Sequence, residues 1–125
     1  MKEADLHMHT IASDGTETLK ERIEDAKKKE LNVIAVTDHD KINEKLGKRS
    51  FTAENGVEVI TGAEIKTEIE GKKIEILAYF IDPEGEEIQE LLEELSGRRK
   101  QRMQEFVKNL NDSHGLGLEI EKILE

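Results

Sequence analysis

Three of the four histidines in the chain stand at predicted strand ends: His7 and His9 in Asp5-Leu6-His7-Met8-His9, and His39 in Asp38-His39-Asp40. Asp14 lies in Ser13-Asp14-Gly15, and Glu64 in Gly62-Ala63-Glu64-Ile65. Imidazole nitrogens and carboxylate oxygens are donors for borderline and hard divalent cations. The sequence has no cysteine, which removes disulfides, thiolate metal sites and cysteine nucleophiles. Any metal site must therefore use His, Asp and Glu, and a cation held by such donors can activate a bound water. Taken singly, each of these residues also reads as a turn residue or a cap, so the case depends on the fold gathering them.

Glu3 to His9 alternates Leu6 and Met8 with Asp5, His7 and His9, the pattern of a strand with one polar row. Residues two apart on a strand lie about 7 Å from each other on one face, close enough to share a cation. Thr10 to Gly15 is turn-like, and Thr16 or Thr18 caps a helix that carries Leu19, Ile23 and Ala26 to about Lys29. Val33 to Thr37 is a short apolar run, as in a parallel strand covered on both faces. Residues 41–54 predict a short helix, and Val57 to Ile65 a third strand. Crossovers between parallel strands are right-handed, so the three strands point one way. His9, His39 and Glu64 then fall at one carboxyl rim, where α/β folds place ligands, with Asp14 in the loop above. Asp38 and Asp40 either orient the His39 imidazole or cap the next helix.

Glu70-Gly71-Lys72 is a hairpin signal between Ile65–Ile69 and Ile74–Phe80, and Asp82-Pro83 closes that pair. From Glu86, Ile88, Leu91, Leu92 and Leu95, and then Met103, Phe106, Val107 and Leu110, follow helical spacing, with Gly97 permitting a kink or a break. Arg99 falls inside that apolar stripe and Arg102 beside it. They are either a guanidinium clamp for substrate phosphate or snorkelling residues paired with Glu94 or Glu105. His114, before Gly115, reads as a helix C-terminal residue rather than a ligand. Leu116 to Glu125 has room to start another helix.

With 125 residues, one domain over 1–125 is expected. Only 3 Phe and 1 Tyr supply aromatic bulk, so Leu, Ile and Val must fill a thin core. A net charge of −10 opposes generic binding to duplex nucleic acid or anionic membranes, so an anionic substrate must be held at a local site. No apolar run approaches the roughly 20 residues of a membrane span, and the amino terminus lacks a signal-peptide layout. The expected location is cytoplasmic.

Asp5-Leu6-His7-Met8-His9-Thr10, Ser13-Asp14-Gly15, Thr37-Asp38-His39-Asp40 and Gly62-Ala63-Glu64-Ile65, in this order, resemble successive motifs of the PHP (polymerase and histidinol phosphatase) superfamily of metal-dependent phosphoesterases. The resemblance runs from about residue 4 to residue 110. It is nearest to the stand-alone branch acting on nucleotide or short oligonucleotide phosphates. It implies a partial, distorted (βα)7 barrel, α/β with a mostly parallel sheet and one hairpin. His7, His9 and Glu64 resemble ligands of one metal, with Glu64 bridging to a second, and Asp14 and His39 resemble ligands of a third. Two or three divalent ions, Mn, Zn, Fe or Mg, are implied, and Asp14, His39 and Glu64 are the catalytic candidates.

Two departures from the pattern stand out. Glu75 occupies a position where the family commonly has histidine; it is either a harder metal ligand or the partner of a nearby lysine. The family's remaining ligands, a histidine and an Asp-x-His pair, lie beyond Glu125, so the carboxyl-terminal half of the barrel is not in this chain. An open sheet edge would then need covering, which predicts a homo-oligomer or a complementing partner chain. The expected activity is hydrolysis of a nucleotide or oligonucleotide phosphate ester, with water activated between cations and phosphate held by metal, Arg99 and Arg102. The competing expectation is a metal-binding or interaction module without turnover.

Overall fold

The computed structural model describes residues 2–115, Gly117 and Glu119. The elements run β1 (Ala4–Met8), α1 (Leu19–Lys28), β2 (Val33–His39), β3 (Ser50–Thr52), β4 (Glu58–Ile69), β5 (Lys72–Tyr79) and α2 (Glu86–His114). The chain divides into two compact units, Met1–Gln89 with the whole sheet, and a second beginning at Glu90 within α2.

In the first unit β1, β2 and β4 are parallel neighbours, in that order, as the α/β reading expects. Five of the seven residues of β2 are buried, consistent with a strand covered on both faces. The helix α1 starts at Thr18, whose side chain accepts from the Glu21 N–H while Glu21 reaches back to the Thr18 N–H, a capping box. It buries Leu19 and Ala26, which join Ile34, Val36, Leu46, Val57 and Val59 in the core. Fully burying each such Leu, Ile or Val contributes roughly 1.5–3 kcal/mol.

Three expectations are corrected. Residues 41–54 form no helix; turns lead to β3, which pairs antiparallel with the first residues of β4. Within these turns the Asn43 amide donates to Thr10 Oγ1 and its carbonyl oxygen accepts from the Lys45 N–H. Second, β4 continues through Ile65 as one strand to Ile69, because the hairpin partner β5 pairs with it from Gly62 onward. Glu70 and Gly71, at φ 51° and 78°, make the tight turn. Third, α2 passes through Gly97 without a break. A single mid-helix glycine costs only about 1 kcal/mol, which the 29-residue hydrogen-bonded run absorbs. Along α2, Leu91, Met103 and Phe106 are exposed. His114 ends α2 before Gly115 at φ 62°, as a C-terminal residue should. The segment read as a possible last helix, Leu116 to Glu125, lies largely outside the described residues. No helix among the described residues is long and apolar enough to cross a membrane.

Candidate metal centre

Ladder register places the site. Thr37 stands opposite Gly62 and His39 opposite Glu64 across β2 and β4, while Tyr79 and Leu77 of β5 face the same two β4 residues. Neighbours at one rung share a face, so His39 and Glu64 project together. From β1 and the residue after it, His7 and His9 reach the same carboxylate. His7 Nε2 lies 2.9 Å from Glu64 Oε1, and His9 Nε2 and His39 Nδ1 lie 3.2 and 2.8 Å from Glu64 Oε2. Asp14 closes the other side, its Oδ1 2.5 Å from His9 Nδ1 and its Oδ2 3.1 Å from His39 Nε2.

The contacts at Glu64 Oε2 are not ordinary hydrogen bonds. His9 Nε2, His39 Nδ1 and Glu64 Oε2 are buried and have no hydrogen-bond partner despite their proximity. Both ring nitrogens of His9 and of His39 face carboxylate oxygens, whereas a neutral imidazole carries one N–H. Such an arrangement is costly unless a cation sits among the lone pairs. A metal with donors at about 2.1 Å has donor–donor edges of roughly 3.0 Å in an octahedron and 3.4 Å in a tetrahedron. The spacings of 2.8 to 3.2 Å around Glu64 are near that range. Donor atoms of His7, His9 and Glu64 fall within 4.8 Å of one another, as do those of His9, Asp14 and His39. Each of these two overlapping groups could hold a divalent cation, with His9 available to one or the other.

Asp14 is held below the ordinary carboxylate range, first by its hydrogen bond with His9, with a smaller contribution from the nearby His39; partial desolvation opposes both. Asp14 is therefore a charged acceptor at neutral pH.

The supporting residues differ from expectation. Asp38 neither orients the His39 imidazole nor caps a helix. Fully buried, it accepts from the Thr10 N–H at 2.7 Å, the Thr10 hydroxyl at 2.8 Å and the Ser13 hydroxyl at 2.6 Å. It fastens the loop that carries Asp14. Asp40 likewise caps nothing: its N–H donates to the Glu64 carbonyl and its Oδ1 accepts from the Lys66 N–H, which fixes the β4 backbone beside Glu64. Gly15 is required by space, since a Cβ there would lie 2.6 Å from the His9 carbonyl oxygen. Sequence reasoning missed Arg22, whose Nε donates to the His9 carbonyl at 2.9 Å, and Asn43 beneath Thr10. Nothing in their spacing marks them; only Thr10, directly after His9, was within a recognised motif.

Five candidates are thus brought together: His7, His9, Asp14, His39 and Glu64. Glu75 is not among them. It is exposed on β5 opposite Lys66, one same-face step beyond the Leu77–Glu64 rung. Arg99 and Arg102 are exposed on α2, where the neighbouring Arg98 pairs with Glu94.

The fold and this donor set define an α/β protein with a candidate metal site at its sheet rim, and the chain belongs to the PHP domain family, whose model matches residues 5–119. A 5′–3′ exoribonuclease of Haemophilus influenzae is 36% identical over 105 residues, covering 84% of this chain and 38% of that protein. A crystal structure from Bifidobacterium adolescentis, assigned as a metal-dependent phosphoesterase, superposes with a TM-score of 0.67 at 30% identity, over 86% of this chain and 39% of the other. An amidohydrolase from Chromobacterium violaceum shares the fold with a TM-score of 0.71 at 24% identity, over 90% and 39% of the two chains. This chain therefore spans less than half the length of these proteins.

Proposed function

We propose that the protein is a metal-dependent phosphoesterase hydrolysing a nucleotide or oligonucleotide phosphate ester at the His7, His9, Asp14, His39 and Glu64 cluster. The observation carrying this reading is the set of buried, hydrogen-bond-free donor atoms on His9, His39 and Glu64. Mn, Zn, Fe or Mg would supply a water of lowered pKa and an electrophile for the phosphoryl oxygens. Glu64, 3% exposed at its side chain, gathers three imidazoles within 3.2 Å of its oxygens. Asp14, 62% exposed at its side chain, and His39 beside it are the two candidates to protonate the departing oxygen. Arg99 and Arg102, with Glu75 as an accessory ligand, complete the proposed assignment. The exoribonuclease relative supports a nucleotide ester as substrate.

The test is hydrolysis of a phosphodiester analogue and of nucleoside monophosphates with Mn²⁺, comparing the protein with His9→Ala. Manganese-dependent turnover lost in His9→Ala supports the reading. Equal background rates in both overturn turnover and leave a metal-binding module. The reading also includes self-association or a complementing chain over the sheet edges, because Leu6 on β1 and Ile74 and Ile76 on β5 are exposed. Light scattering that finds a monomer at all concentrations removes the first option.

A further inference from the structure

The ladder between β1 and β2 is regular at Ala4 and Asp5, shifts register, and resumes at Met8. Leu6 and His7 lie within that irregularity, where backbone groups lose their regular partners. The Leu6 carbonyl instead accepts a hydrogen bond from the Tyr79 hydroxyl at 2.8 Å. Tyr79 is on β5, with β4 and β2 between it and β1. Three strand spacings in a flat sheet amount to about 14 Å, beyond a tyrosine's reach, so this bond exists only because the sheet curls. The rung partner of Tyr79 on β4 is Gly62. A Cβ at Gly62 would lie 2.6 Å from the Ala78 carbonyl oxygen and 3.0 Å from Thr37 Cγ2, so the space along this rung is already taken by neighbours.

The geometry points to Tyr79 as a positioning residue for His7: its hydroxyl pins the Leu6–His7 peptide and so aims the imidazole at Glu64. His7 has the most need of such restraint. Its side chain is 51% exposed, against 18% and 14% for His9 and His39. Among the described residues its ring meets only Glu64 and the His9 ring, and its N–H bonds locally to Asp5 Oδ1. His9 is held in addition by Arg22 and Asp14, and His39 lies within the β2 ladder.

This inference rests on the reading of His7 as a metal ligand, and the experiment separates the two. Mn²⁺ affinity is measured by calorimetry for Tyr79→Phe in the native background and in a His7→Ala background. Loss of one hydrogen bond that acts through His7 should weaken binding about five-fold in the first and less than about two-fold in the second. Histidine-selective NMR of the metal-free protein should show His7 ring signals shifted or broadened in Tyr79→Phe while those of His39 stay in place. Equal weakening in both backgrounds, or unchanged affinity with unchanged His7 signals, overturns the proposal. Should His7→Ala bind too weakly to measure, the NMR comparison decides. If the native chain binds no Mn²⁺, the metal reading fails, and the NMR still decides whether Tyr79 holds His7.

Discussion

His39 and Glu64 stand at one rung of the β2–β4 ladder with Nδ1 2.8 Å from Oε2, yet the two atoms make no hydrogen bond with each other. Two buried polar atoms held this close without hydrogen-bond geometry are suited to a third party. Glu64→Gln keeps the shape and removes the charge. Structural zinc sites gain about 10–16 kcal/mol from four donors, so loss of one anionic donor should weaken divalent binding at least about a hundred-fold. In thermal melts the metal-dependent rise in Tm should vanish, while the metal-free Tm stays level or increases because an uncompensated buried carboxylate is gone. A metal-dependent rise equal to that of the native protein would contradict the central role of Glu64.

Asp38 offers a stability prediction away from the cluster. Asp38→Ala leaves the Thr10 N–H and the Thr10 and Ser13 hydroxyls without their shared acceptor in a buried setting. The expected loss is about 2–4 kcal/mol, read from urea unfolding midpoints. Because the loop it fastens carries Asp14, divalent affinity should fall as well. A midpoint unchanged within error is the contrary result.

Gly62→Ala should destabilise by about 1–3 kcal/mol, since the added methyl meets the Ala78 carbonyl oxygen at 2.6 Å. Gly47→Ala is the matched control, as a Cβ there meets nothing within 4 Å. Denaturant curves for the two variants should separate clearly; coincident curves would mean that the sheet relaxes around residue 62.

The acid limb of stability should depend on Asp14. Its carboxyl is lowered from the ordinary value, chiefly by the His9 hydrogen bond, so folding favours the ionised form. That contribution is fully present above the unfolded pKa and is lost as pH falls through the lower folded value. It is small, because Asp14 is exposed and water screens it. In metal-free protein, Asp14→Asn should lower stability slightly near neutrality and flatten the stability–pH curve below the ordinary carboxylate pKa of about 3.9, where the two proteins converge. A parallel offset at all pH values would assign Asp14 a purely structural role.

Arg99→Ala and Arg102→Ala test the proposed phosphate clamp. A clamp lost from the substrate side should raise KM several-fold, on the order of 1 kcal/mol per charge-assisted bond, with Mn²⁺ affinity unchanged. Unchanged KM in both variants would return these exposed residues of α2 to the solvated face.

Much of the site was legible in residue type and order. The histidine pair two apart, the carboxylate in the following loop, and the His39 and Glu64 motifs at successive strand ends announced a shared rim. Alternation in strands and right-handed connection of parallel strands leave few other placements for them. The capping box at Thr18 and the Glu70-Gly71 turn were equally local, set by side chains within four residues of one another. By contrast, the part played by Asp38 depended on where the chain at Thr10 and Ser13 returned, 28 and 25 residues away in sequence. The same holds for residues 41–54, whose polar pattern suited a helix until β4 offered β3 a ladder and Thr10 offered Asn43 a partner. The sequence by itself determined which donors exist and which strand ends carry them, because residue type and periodicity are local properties. Only the tertiary structure decided that Glu64 meets three histidines, that Glu75 stands opposite Lys66, and that Tyr79 arrives at Leu6. Those outcomes depend on sheet curvature and ladder register, which are fixed by many weak contacts between segments distant along the chain.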